Sequence, residues 1–181
     1  MSAARKPVIV RKLTRDWSAG YAAANPAGES ELELLDSRGK LLRLDWAQIK
    51  WLCYVRELPG RESSNFDSQD PDPALQPERL LRRHFSSRPR IAGLWLRLTL
   101  EDGDELEGIV PNDRSLIEGA GLMLTPPDTR SNTQRVFVPR TAIRELTILS
   151  VITPKSKPEQ DEPQPDLFTL QDGMQAGLQD G

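Results

Sequence analysis

The chain has almost none of the residues from which metal centres and nucleophilic active sites are built. Cys53 is its one cysteine and His84 its one histidine, which excludes a disulfide framework and a zinc site resting on a Cys/His cluster. Cys53, within Trp51-Leu52-Cys53-Tyr54-Val55, reads as a small core residue. No stretch approaches the roughly 18 apolar residues of a membrane span. Met1 to Lys12 has basic residues without the apolar run and small-residue cleavage site of a signal peptide. A cytoplasmic protein without membrane insertion is expected. A phosphate-cradling glycine loop is missing as well, and Asp102 and Asp104 flank Gly103 as turn chemistry. With no nucleophile, base or metal constellation, neither an enzyme nor a cofactor is expected.

Net charge is also small. The formal value of −3 comes from 24 basic and 27 acidic residues. Residues 154–181 hold Lys155 and Lys157 against six acidic residues, so that tail carries −4 and the body +1. A body so close to neutral has no global positive field for nonspecific nucleic-acid binding, and any basic surface must be local.

The residues that are present repeat. At 181 residues and 37% hydrophobic content, one ordinary domain or two small ones can bury a core. Val8, Val10, Gly20, Leu32, Leu34, Leu44, Ala47, Ile49, Leu52 and Val55 fall opposite Leu96, Leu98, Gly108, Ala120, Leu122, Val138, Thr141, Ile143, Leu146 and Leu149. Short apolar strands alternate with turn signals at 24–28, 36–39 and 101–104. Asp45 is placed to cap a single helical turn before Ile49 returns to the core. The pattern predicts an all-β protein of two tandem small barrels, over 7–58 and 77–153. A Ser-, Asp- and Pro-rich linker at 59–76 separates them. A short helix, Pro77 to Phe85, precedes the second barrel, and a disordered acidic tail occupies 154–181. Residues 1–6 read as a frayed start.

The order of helix, Asp-Gly hairpin, Gly-containing strand, Asn112-Asp113, apolar strand and Arg135-Val136-Phe137-Val138 resembles the Sm-like and SH3-like small barrels. The Sm-like resemblance implies RNA contacts at Asn112, Asp113 and Arg140, although Pro139-Arg140-Thr141 lacks that family's Arg-Gly pair. It also implies homo-oligomers joined through outer strands. Leu124 to Val138 is similar to an uncharacterised bacterial family, sometimes found beside PilZ-type domains. That family carries a Pro-x-Asp-x-Arg-Ser-Asn-Asn-x-Arg-x-Phe-Val segment, whose second Asn is Thr133 here. In this loop Asp128, Arg130, Ser131, Asn132 and Arg135 are candidate ligand contacts. The same residues also suit Asx-type turns, with Arg135 pairing Asp128 across the hairpin.

Arg79 and Arg83 resemble the Arg-x-x-x-Arg element by which PilZ domains bind cyclic di-GMP. The partner element, Asp113 to Gly119, is one residue too long. Arg79, Arg82, Arg83, Arg88 and Arg90 together form a basic patch able to meet phosphate groups, or a solvated helix face. In the tail, Gln164-Pro165-Asp166-Leu167-Phe168 resembles the pentapeptide by which bacterial proteins bind the replication sliding clamp. There Leu167 and Phe168 are the anchors, with Gln164 and Asp166 beside them. The expected function is noncatalytic binding of a protein partner by the loops of the second barrel. RNA, cyclic di-GMP and the sliding clamp are the alternatives.

Overall fold

A computed structural model describes residues 4–26, 30–58, 82–128 and 130–153. The first half of the chain forms β1 (Arg5–Lys12), β2 (Trp17–Ala23), β3 (Glu31–Leu35), β4 (Leu41–Asp45) and β5 (Ile49–Val55). The second half forms β6 (Gly93–Leu100), β7 (Glu105–Val110), β8 (Gly121–Leu124), β9 (Thr133–Pro139) and β10 (Ile143–Ile152). Short 3-10 turns at Trp46–Gln48, Arg114–Leu116 and Arg140–Ala142 precede β5, β8 and β10. Asp45 caps the first of these by accepting from the Ala47 amide at 2.9 Å, and Ile49 returns fully buried. The turn chemistry predicted at 36–39 is also present, while the turn predicted at 24–28 lies partly outside the described residues. Asp36 Oδ1 accepts from the amides of Arg38 and Lys40 while Gly39 takes φ +82.

Among the described residues the strands make two antiparallel sheets, and neither closes into a barrel. One has seven strands in the order β4-β3-β2-β1-β5-β9-β8, and the other has three, in the order β10-β6-β7. Two separate barrels would need β5 to end its sheet inside the first half. Instead its outer edge is taken by β9 of the second half, with Leu52 opposite Phe137 and Tyr54 opposite Arg135. The main sheet therefore runs across the sequence boundary between the halves.

The sequence explains why β5 sits in the middle. Ile49-Lys50-Trp51-Leu52-Cys53-Tyr54-Val55 lacks polar alternation, and all seven residues are buried, as in a strand covered on both faces. Trp51, Cys53 and Val55 join Ile9 in a core with Leu94, Leu96, Leu98, Leu106, Leu124, Val136 and Val138. Leu52 and Tyr54 face the other way, into a core with Val8, Val10, Leu32, Leu34, Trp46 and Phe137.

Three expectations change. The first, two closed barrels, gives way to the shared sheet. The second concerns the start of the chain: β1 begins at Arg5, so it is paired with β2 sooner than the composition suggests. The third is the helix, which is absent over its described part, 82–85. There Arg83 O accepts from the Glu107 amide at 2.7 Å, and the Phe85 amide donates to the Glu107 carboxylate at 3.0 Å. The backbone groups of this segment are thus drawn onto β7 rather than into helical bonds. The rest of that helix, the linker, Arg79, and the tail with Gln164, Asp166, Leu167 and Phe168 lie outside the described residues. No helix among the described residues is long and apolar enough to cross a membrane.

Candidate functional site

The open ends of β1, β5 and β9 come together at the seam between the halves. Lys6 lies near the start of β1, Tyr54 and Val55 end β5, and Gln134 and Arg135 open β9. With Ala24, just after β2, they line a groove of about 380 Å3, within the size range of small-ligand sites. A register shift between Tyr54 and Val55 sets Arg135 and then Thr133 against successive β5 residues. Gln134 is thereby left as the extra residue of a bulge, a device that redirects side chains beside functional sites. Tyr54 is buried, and its hydroxyl donates to Ala23 O at 2.7 Å. Lys6 and Arg135 are exposed, and among the described residues neither side chain has a hydrogen-bond or ion-pair partner. Two cations from opposite halves thus flank a groove whose lining, among the described residues, includes no carboxylate.

Of the other predicted loop residues, Asn132 lies beside the groove just before β9, whereas Arg140 follows the far end of that strand and is bonded to the 115–119 loop. Asn132 Oδ1 accepts from the Arg56 and Glu57 amides, both at 3.1 Å, and its Nδ2 donates to Glu57 O at 2.8 Å. One side chain therefore clips the end of β5 to the β8–β9 connection. Asp128 accepts from the Arg130 amide at 3.0 Å, and the Ser131 hydroxyl donates to Asp128 O at 2.9 Å, which is Asx-turn chemistry. The expected Asp128–Arg135 pair does not form: Asp128 is turned to its own loop backbone. Asn112 is exposed, and Asp113 caps the Arg114–Leu116 turn. The Ser115 side chain and amide, hydrogen-bonded to Asp113, hold its carboxyl below the usual range. Arg140 wraps the same loop, donating to the carbonyls of Gly119, Leu116 and Glu118 at 2.9, 3.0 and 3.0 Å and to Ser115 O at 3.4 Å. Its guanidinium is committed to backbone.

Two charged hubs centre on residues not singled out from the sequence. Glu107, 2% exposed, accepts from the Phe85 amide and Trp95 Nε1 on one oxygen and from Arg97 Nε and Nη2 on the other. His84 Nδ1 lies 3.3 Å away. Burial pushes this carboxyl up, but the bonds from Phe85, Arg97, His84 and Trp95 outweigh it and hold it below its ordinary value. Lys50, 7% exposed, reaches from β5 to Asp102 and Asp104 in the β6–β7 turn and lies over the Trp51 ring. The Lys50 hydrogen bond is the largest influence holding the Asp104 carboxyl low. Asp102 still performs its turn role by accepting from the Asp104 amide, so the two carboxylates also tie the halves together. The Arg97–Glu107 pair follows from the register of the β6–β7 hairpin, whereas the remaining partners of the two hubs are brought together only by the tertiary fold.

The basic patch is dispersed. Arg83 pairs Asp104 at 3.1 Å and covers Trp51, Arg88 leans on Val151 O at 3.5 Å, and Arg82 and Arg90 are exposed. Cys53 is fully buried, and burial pushes its thiol up to about 12 against a small lowering by Thr133. Among the described residues no three His, Cys, Asp or Glu side chains gather as metal ligands.

Fold and site together define a two-sheet β protein with a basic groove at the seam of its halves. The chain matches, over residues 4–150, a family of unknown function, DUF6982, and it belongs to that family. No curated protein and no solved structure matches it.

Proposed function

We propose that this protein is a noncatalytic binding protein whose seam groove receives an acidic segment of a protein partner. The observation that carries this reading is the placement of Lys6 and Arg135, both exposed and without a partner among the described residues, on either side of one groove. Polar residues on loops and strand ends of a rigid sheet are where binding groups usually sit. The near-neutral body favours a peptide carboxylate over a phosphate backbone, since nucleic-acid affinity rests on many simultaneous cation contacts. Arg140, the residue the Sm-like resemblance would aim at RNA, instead holds backbone carbonyls. Arg83, half of the cyclic di-GMP element, is occupied by Asp104. The clamp-like peptide is a separate binding element, outside the described residues. We read the shared order of five strands, with a 3-10 turn before the last, as the trace of a duplicated Sm-like or SH3-like unit whose copies have fused at β5 and β9.

The test is calorimetric titration of the full chain with a decaglutamate peptide and, in parallel, a decauridylate RNA in dilute buffer. The peptide should bind saturably. Lys6→Glu with Arg135→Glu should weaken it at least about tenfold, since exposed ion pairs contribute up to roughly 1 kcal/mol each. Absence of saturable binding, or affinity unchanged in the double variant, refutes the proposal. Tighter binding of the RNA, lost in the same variant, replaces the acidic peptide with a nucleic acid.

A further inference from the structure

The three-stranded sheet ends in β10, a ten-residue strand that among the described residues is paired only on its β6 side. Ile143, Leu146, Ile148 and Val151 stand opposite Leu100, Leu98, Leu96 and Leu94 of β6. Directly paired residues point to the same face. These four therefore lie on the core face, where their β6 partners are 0–5% exposed. Yet Leu146 is 36% exposed, Ile148 52% and Val151 54%. Among the described residues nothing covers the core along this edge. Long, exposed apolar edge strands are ready to pair with another chain.

The spacing of the stripe indicates what covers it. Register shifts at Arg144 and at Leu149 put the apolar residues at 143, 146, 148 and 151, a pattern symmetric about Thr147. An interface on a twofold axis must be self-complementary. Antiparallel pairing of two β10 strands centred on Thr147 meets that requirement. Ile143 then falls opposite Val151 of the second copy, Leu146 opposite Ile148, and Thr147 opposite Thr147. Arg144 meets Ser150 and Glu145 meets Leu149, so no like charges oppose each other. β4, an outer strand of the larger sheet, is a poorer partner. It has five residues, its exposed positions include Arg43 and Asp45, and Arg43 pairs Glu33 at 3.7 Å. The side-chain contact from Arg88 to the β10 carbonyl of Val151, at 3.5 Å, is long and readily given up.

We propose that β10 is a dimerisation edge, and that two copies of this chain join through it into a continuous six-stranded sheet, β7-β6-β10-β10-β6-β7. One strand per chain is a small interface, so a dissociation constant of roughly micromolar order is expected. Sedimentation equilibrium of the full chain up to about 200 μM should show a monomer–dimer equilibrium. Ile148→Lys, at a half-exposed site that the monomer tolerates, places a charge at two symmetric positions. It should raise the dissociation constant at least about 100-fold.

A cross-link checks the register without relying on that variant. Thr147→Cys should form an intermolecular disulfide under mild oxidation, because directly opposed Cα atoms lie about 4.5–5.5 Å apart, within disulfide reach. Glu145→Cys should not, since its two copies would stand roughly 13 Å apart. The buried Cys53 leaves a low background. A monomer at every concentration overturns the proposal, and would leave the stripe to residues 154–181 of the same chain. A dimer indifferent to Ile148→Lys, or equal cross-linking through positions 145 and 147, overturns it as well.

Discussion

Replacing Glu107 with Gln changes one oxygen to an amide nitrogen and almost no volume, so its effect isolates the hydrogen bonding of the buried hub. In the native protein both carboxylate oxygens are surrounded by donors: Phe85 N at 3.0 Å and Trp95 Nε1 at 3.1 Å on one, Arg97 Nη2 at 2.8 Å and Nε at 3.2 Å on the other. Whichever way the introduced carboxamide turns, its NH2 group faces donors. If it faces Arg97, whose side chain is 41% exposed, the guanidinium swings into water and the loss stays moderate. If it faces Phe85 and Trp95, two half-buried donors lose their acceptor. Bonds to a charged partner contribute about 1.5–3 kcal/mol each, and the escape of Arg97 sets the expected destabilisation at about 2–3 kcal/mol. For a chain of this length that corresponds to roughly 5–10 °C in Tm.

The pH dependence has a definite sign. The folded carboxyl lies below its ordinary value, so its contribution is present above that value and fades as pH falls through the lower, folded one. The wild-type and Glu107→Gln stability curves should therefore be parallel near neutrality and converge in acid. Urea denaturation at neutral pH and at stepwise lower pH, followed by tryptophan fluorescence, measures both effects. A loss under about 0.5 kcal/mol, or curves that remain parallel into acid, would refute this account of the hub.

Two further changes address the sheet and the clip. A Cβ on Gly20 would lie 2.4 Å from Leu35 O, so Gly20→Ala should cost about 2–3 kcal/mol by overpacking. Gly39→Ala, in open space at φ +82, should cost only about 1 kcal/mol of backbone strain, and equal losses in thermal unfolding would remove the steric explanation. Asn132→Asp turns a donor to Glu57 O into a carboxylate oxygen facing it. It should destabilise by about 1–2 kcal/mol, and amide exchange should accelerate at Arg56 and Glu57, whereas unchanged exchange there would show that the clip does not hold β5.

Local chemistry is legible in the sequence and long-range chemistry is not. Asp45 and Asp36 declare their caps because donor and acceptor lie within four residues. Gly20 and Gly108 occupy matching positions, and both sit where a Cβ would strike the neighbouring strand, Leu35 O in one case and Leu124 in the other. The unbroken apolar run of β5 signals burial on both faces, but periodicity cannot say which strand supplies the second neighbour. The barrel expectation fails there: it places β9 within its own half, whereas the pairing of β9 with β5 joins the halves in one sheet. In the loop, Arg135 stands out by its setting. Lys6, its counterpart across the groove, does not, because a basic residue five places from the start carries no pattern of its own.

β5 ties the groove to the integrity of the whole fold. One face packs Trp51, Cys53 and Val55 against the second half, and the other packs Leu52 and Tyr54 against the first. Lys6 reaches the groove through the β1–β5 ladder, in which Val8 opposes Tyr54, and Arg135 reaches it through β9, where it also opposes Tyr54. Tyr54 is thus common to both ladders that carry the two cations, with Asn132 and the Lys50 pairs joining the halves. A ligand that bridges Lys6 and Arg135 meets its geometry only when both halves are folded and joined. By mass action such a ligand would stabilise the seam itself, so the binding proposed for the groove would be thermodynamically linked to cohesion of the two halves.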